Sequence, residues 1–219
     1  MNMTRLKKLI FLALLLPALS FADATDDIVS RLQKDWAVAN YELNGDAQIK
    51  AYESLIEQAN AAVADHPGSA EILVWNGIIK SAFAGVKGGL GALGYAKEAK
   101  KALEQSLKLD DKALDGSAYA SLGTLYFKVP GWPVGFGNDK KAVQFLTKAL
   151  ELNPDGIDPN YFYADYLREK KEFEAAERYL LKAQDAAPRP NRPVADSGRR
   201  QEISVALTEV REKLQRFSS

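Results

Sequence analysis

Three stretches of this 219-residue chain place chemically useful residue types at suggestive spacings. Gly89-Leu-Gly91-Ala-Leu-Gly94 has the G-x-G-x-x-G spacing that cradles a pyrophosphate where a strand turns into a helix. Here a helical pattern precedes it and no parallel-sheet pattern lies nearby. The wider run from Gly85 to Gly94 therefore predicts a long excursion between two helices, whose bare amides, with Lys87 beside them, could meet a small anion. In the second stretch, Val129-Pro-Gly-Trp-Pro-Val-Gly-Phe-Gly-Asn-Asp139, Trp132 and Phe136 are bulky apolar groups among turn residues. A loop indole either folds onto its own helix pair as a staple or is offered to a ligand or partner. The third is His66, beside Asp65 and just before Pro67-Gly68, in a turn with no paired nucleophile in sight.

Composition removes most catalytic chemistries. There is no Cys, which excludes a disulfide framework, a thiolate metal site, a Cys nucleophile and a lipid-modified cysteine. One His leaves little for a zinc centre or a Ser-His triad. With 29 basic against 29 acidic residues there is no global positive field for nucleic acid. The expectation is no enzyme, no catalytic residues, no cofactor, no metal and no nucleic-acid partner.

The N-terminus reads as an export signal. Arg5, Lys7 and Lys8 form a charged region, Leu9 to Leu16 an apolar one, and Ser20-Phe-Ala22 a small-residue cleavage site. The apolar run is shorter than the roughly 20 residues a membrane span needs. Cleavage after Ala22 would leave 26 basic against 29 acidic residues, a periplasmic product and no membrane span.

The elements that position the rest are helices. Apolar residues return every three or four positions: Ile28, Leu32, Trp36 and Ala39, then Ile49, Tyr52, Leu55, Ile56, Ala59 and Val63. Ser69 is a natural N-cap for a helix through Ile72, Trp75 and Ile79, and further patterns cover about 95–109, 116–128, 139–152, 159–170, 173–186 and 197–216. Ala142, Leu146, Ala149 and Pro154 recur as Ala176, Leu180, Ala183 and Pro188, a shift of 34 residues. Leu122-Gly123 with Tyr126 matches Tyr163-Ala164 with Leu167, and Asn76-Gly77 begins a weaker copy.

This pattern resembles the tetratricopeptide family. The resemblance implies an all-α, right-handed superhelix of antiparallel helix pairs. Residues 1–22 would be the signal, 23–68 a degenerate helix pair, and 69–190 the repeats, with insertions at about 85–94 and 129–139. Residues 191–219 would be an extended strap and a capping helix. Pro188-Arg-Pro-Asn-Arg-Pro193 would form the strap and Asp196-Ser197 the N-cap. The last helix would turn Ile203, Leu207, Val210 and Leu214 inward and its charges, Arg199 and Glu202 among them, outward.

Carried over by register, the family's concave ligand face would present Glu71, Val74, Ile78 and Ser81, then Ser117, Ala120, Thr124 and Phe127, then Asp158, Tyr161, Asp165 and Arg168. That set lacks the dense cationic clamp expected for a peptide carboxylate. With the inserted loop it yields Trp132, Phe136, Phe127, Tyr161, Asp165 and Arg168 as candidate binding residues. The function expected is a noncatalytic periplasmic module for protein–protein interaction or scaffolding. Over about residues 70–185 the Pro-Gly-Trp-Pro run, with Gly, Asp and Lys-Lys-Ala after it, is also similar to the T-component proteins of periplasmic TRAP transporters, although the lipid-anchor cysteine common there is missing. That resemblance implies the alternative, a component that binds a small apolar or organic-acid molecule in a cavity between the concave face and the two insertions.

Overall fold

The computed structural model describes residues 19–218. The charged and apolar regions read as an export signal lie outside the described residues. The helices are α1 (Leu19–Tyr41), α2 (Gly45–Asp65), α3 (Ala70–Lys87), α4 (Gly89–Leu109), α5 (Ala113–Lys128), α6 (Asp139–Leu152), α7 (Ile157–Glu169), α8 (Phe173–Asp185) and α9 (Pro193–Ser218). Among the described residues none is long and apolar enough to cross a membrane.

Local chemistry sets the helix starts. The Ser69 hydroxyl accepts from the Ile72 amide at 3.2 Å, and Asn138 Oδ1 accepts from the Lys141 amide at 2.9 Å, each capping a free first-turn donor. The excursion expected at 85–94 is absent. At Gly88 and Gly89, each with φ 61°, the chain reverses at once, so α3 continues to Lys87 and α4 begins at Gly89. Gly85, Gly91 and Gly94 lie within the helices, and the G-x-G-x-x-G run is simply the start of α4. The second expected insertion is a true loop. The strap also ends earlier than expected: α9 begins at Pro193, whose missing donor and fixed φ suit a first helical position, and Asp196 lies inside the first turn.

Consecutive helices pair as hairpins, α3 with α4, α5 with α6 and α7 with α8, in an all-α solenoid. Their crossings use the small residues of the repeat. A Cβ on Gly123 would lie 2.5 Å from Leu146 Cγ, and one on Gly77 would lie 2.5 Å from Leu103 Cγ, so the same close approach occurs in two hairpins. Ala142, Leu146, Ala176, Leu180 and Ala183 are fully buried in one continuous core. Ala176→Leu overpacks this contact and is expected to destabilise the protein by about 1–3 kcal/mol in urea melts. The exposed control Glu174→Ala should change it by less than about 0.5 kcal/mol.

The odd-numbered helices touch in order, α1 to α3 to α5 to α7 to α9, and α9 returns to contact α1. Each even-numbered helix lies against the two odd ones flanking it, so an outer layer surrounds a closed inner ring. The expected capping helix is present, with Ile203, Leu207 and Val210 buried against the last hairpin, and α9 also reaches back to α1 and so joins the two ends of the solenoid. Its inward face is only partly apolar. Arg199 is 7% exposed, and a Cβ on Gly198 would strike the ring of Tyr41, so only glycine lets α9 close on α1 here.

Candidate functional site

Two cavities, both partly open to solvent, lie along the ring. The first, about 520 Å³, is bordered by every ring helix: Trp36 and Asn40 from α1, Ser81 from α3, Thr124 and Lys128 from α5, Phe162 from α7, and Arg199 and Glu202 from α9. Most of its remaining wall is Ala, Leu, Val and Gly from α3, α4 and the loop after α5. The second, about 380 Å³, lies between Trp75, the start of α5, the turn before α7 and the arginines of the strap. Ile78, Ser121 and Phe162 border both. At the edge of the second cavity Leu114, Asp115 and Gly116 are left-handed, with φ of 49°, 54° and 77°. For the two non-glycine residues that conformation is strained, and such strain gathers at functional sites.

A charged cluster forms the seam of the ring. Arg199 donates to Asp158 at 2.9 Å and to Glu202 at 2.5 Å, and its guanidinium lies over the rings of Tyr161 (4.4 Å) and Phe162 (4.6 Å). Arg189 donates to Asp158 and to Asp196, both at 2.6 Å, and the Tyr41 hydroxyl donates to Glu202 at 3.3 Å. Burial alone would raise the Asp158 carboxyl, but Arg199, Arg189 and Arg192 outweigh it and hold it at about 2. Glu202 has one such arginine rather than three. Burial dominates there, and its carboxyl is pushed up despite Arg199.

The loop of residues 129–138 is held by its own backbone. Gly137 donates to the Pro130 carbonyl at 2.9 Å, Gly135 to that of Gly131 at 3.0 Å, and Asn138 to that of Tyr126 at 2.8 Å. Phe136 packs edge-on against Tyr126, with centroids 5.6 Å apart, under the Lys100 ammonium. Trp132 takes no part and is 90% exposed. Val129, Pro130 and Val134 reach the first cavity.

Two segments, residues 135–155 and 157–190, match the family model of the tetratricopeptide repeat. The chain carries tetratricopeptide repeats. The solved structures similar to it include the crystal structure of MamA protein, at 16% identity and a TM-score of 0.43, covering 88% of this chain and 95% of that one. No curated protein matches the sequence.

Half of the concave positions read from sequence fall at the cavities. Ile78, Ser81, Ser117, Ala120, Thr124 and Asp158 border the cavities. The six residues singled out for binding do not come together, and none of them borders either cavity. Phe127 packs edge-on to Tyr166, and Tyr161 lies beneath Arg199. Asp165 pairs with Lys128 at 3.0 Å and Arg168 at 3.2 Å, and Arg168 also pairs with Glu209. These four are committed to the protein's own packing and ion pairs. The staple reading of Trp132 is corrected by its exposure. Its backbone neighbours close the loop without needing the ring.

Sequence reasoning missed Lys128, Arg192, Glu202 and Asn40. Only Arg192 left a usable signal: an arginine between prolines, in a strap whose backbone is fixed, holds its side chain at a defined place. Among the described residues no cluster of His and carboxylates could hold a metal.

Proposed function

We propose that this chain is a noncatalytic, exported binding module that captures a protein partner through the Trp132 loop. Tetratricopeptide repeats support a protein-interaction role in general. The observation that carries the specific reading is Trp132 itself, exposed beside a 61%-exposed Val134 on a loop whose shape is fixed by its own hydrogen bonds. A rigid, exposed aromatic loses little entropy on docking and is the residue type that most often dominates an interface. The charged and apolar start of the sequence supports export to a periplasm.

Trp132→Ala should leave the thermal midpoint unchanged within about 1 °C, because a side chain that buries almost nothing removes almost no burial. It should reduce capture of partner from the osmotic-shock fraction of the native host at least tenfold, as loss of a hot spot does. Unchanged capture by a folded variant refutes the loop reading. Mature protein absent from that fraction, or beginning before Asp23, refutes export and cleavage.

A second reading has its own support. The first cavity is walled by every helix of the ring and lies within the roughly 300–1,000 Å³ range of small-molecule sites. A carrier of a small apolar molecule would use it, and native mass spectrometry of the periplasmic protein would show the bound mass.

A further inference from the structure

Two donors at the second cavity have no protein partner. The indole N–H of Trp75 belongs to a residue only 2% exposed and is unpaired, and the Nε of Arg192 is buried and unpaired. The guanidinium of Arg192 stands 5.1 Å from the centroid of the Trp75 ring, and both residues border the cavity. A buried donor without an acceptor is more costly than an ordinary hydrogen bond is favourable, so such groups are rare in folded proteins. Two of them at one cavity wall point to an acceptor supplied from outside the chain.

The charges agree with this. Asp158 and Asp196 engage Arg189, and Asp158 and Glu202 engage Arg199. Among the described residues no carboxylate stands within ion-pairing distance of Arg192. Burial, with Arg189 next in effect, disfavours its positive charge, and an anion in the cavity would offset that cost. Ile78, Leu114, Ala120 and Phe162 form an apolar part of the wall, beside the polar Gln33, Ser117, Ser121 and Asn153. Asp115 and Asp155, both exposed, add negative charge at the edge and would repel a second anionic group.

We propose that the second cavity binds a small organic anion bearing a single carboxylate. Its oxygens are met by the Arg192 guanidinium and the Trp75 N–H, and its apolar body lies against Ile78 and Phe162. A carboxylate supplies two acceptor atoms in one plane, which suits a guanidinium fork with a further donor beside it. The site does not use the Trp132 loop, and it shares with the first cavity only the walls Ile78, Ser121 and Phe162, while Arg192 and Trp75 border the second cavity alone, so variants of these two test it apart from both readings above.

Benzoate tests the proposal, with phthalate, the same ring carrying two carboxylates, as the charge control. In calorimetry on the mature protein, benzoate should bind saturably at one per chain and phthalate at least tenfold more weakly. Arg192→Met, which keeps the apolar stem over Trp75, should weaken benzoate at least tenfold. Arg192→Lys should retain part of the affinity, and Trp132→Ala all of it. Should Arg192→Met fail to fold, the wild-type protein still decides. It has three tryptophans, so three indole N–H resonances, and that of Trp75 should shift saturably with benzoate. The proposal is overturned by a Trp75 resonance that stays in place at tens of millimolar benzoate, by equal benzoate affinity in folded Arg192→Met, or by phthalate binding as tightly as benzoate.

Discussion

Arg199→Ala is expected to lower the unfolding free energy by about 3–5 kcal/mol, the usual cost of removing one partner from a buried ionic network. The cost arises from what the substitution leaves behind. Asp158 would keep Arg189 but lose a second cation, Glu202 would keep only the 3.3 Å contact from Tyr41, and Tyr161 and Phe162 would lose the group stacked on both. Because Arg199 lies where α9 meets α1, the ring should also open. Amide exchange in α1 and α9 should then rise more than in α5 and α6. Acid provides an independent check. The Asp158 carboxyl is held at about 2, below the ordinary aspartate value of about 3.9. A depressed acid stabilises the fold above its unfolded value and loses that contribution as pH falls through the folded one. The network should therefore weaken between about pH 4 and pH 2, and Asp158→Asn should flatten that part of the stability profile. Urea melts in which Arg199→Ala costs less than about 1 kcal/mol would show that the seam holds nothing together.

The other large effect belongs to Phe83. Its side chain is fully buried, stacks on Tyr52 at 5.7 Å and meets Tyr95 edge-on at 4.7 Å, so one ring joins α2, α3 and α4. Phe83→Ala removes the burial of the ring and leaves a cavity between three helices, for an expected loss of about 3–5 kcal/mol. Phe83→Leu fills most of that space and should cost less than half as much. A loss below about 1 kcal/mol for the alanine variant would mean that the N-terminal hairpins collapse around the gap and are far less rigid than their packing implies.

Phe83 also shows where the sequence was legible. The 34-residue recurrence of Ala142, Leu146 and Ala149 is readable because each repeat solves the same crossing with the same small and large residues, and all six positions are buried. Upstream, the crossing persists only in Gly77 against Leu103, while Trp36, Tyr52, Trp75 and Phe83 fill the space with aromatic contacts that obey no repeat. Helix spacing was therefore readable there and packing was not. The run from Gly85 to Gly94 misled because glycine signals a break as readily as a tight joint, and the pair Gly88 and Gly89 supplies the whole reversal. The seam was unreadable for another reason. Arg199, Glu202 and Asp158 look like solvated charges until a partner 161 positions away, Tyr41, is known to lie beside Glu202. The same holds for the cavities, the first walled by all five ring helices and the second by four of them with the strap, and neither by a single motif.

An open array of helix pairs can gain structure one unit at a time, since each unit rests only on its neighbours. Joining α9 to α1 removes that freedom. The contact between Tyr41 and Glu202 spans most of the described chain, so the first helix cannot complete its packing until the last has formed. Contacts so distant in sequence slow folding, because a long stretch must be ordered before they are gained. A chain that emerges N-terminus first, from a ribosome or through a membrane, would remain unfinished until its final residues arrived. Both cavities, with arginines of the strap and α9 in their walls, would come into being only at that last step.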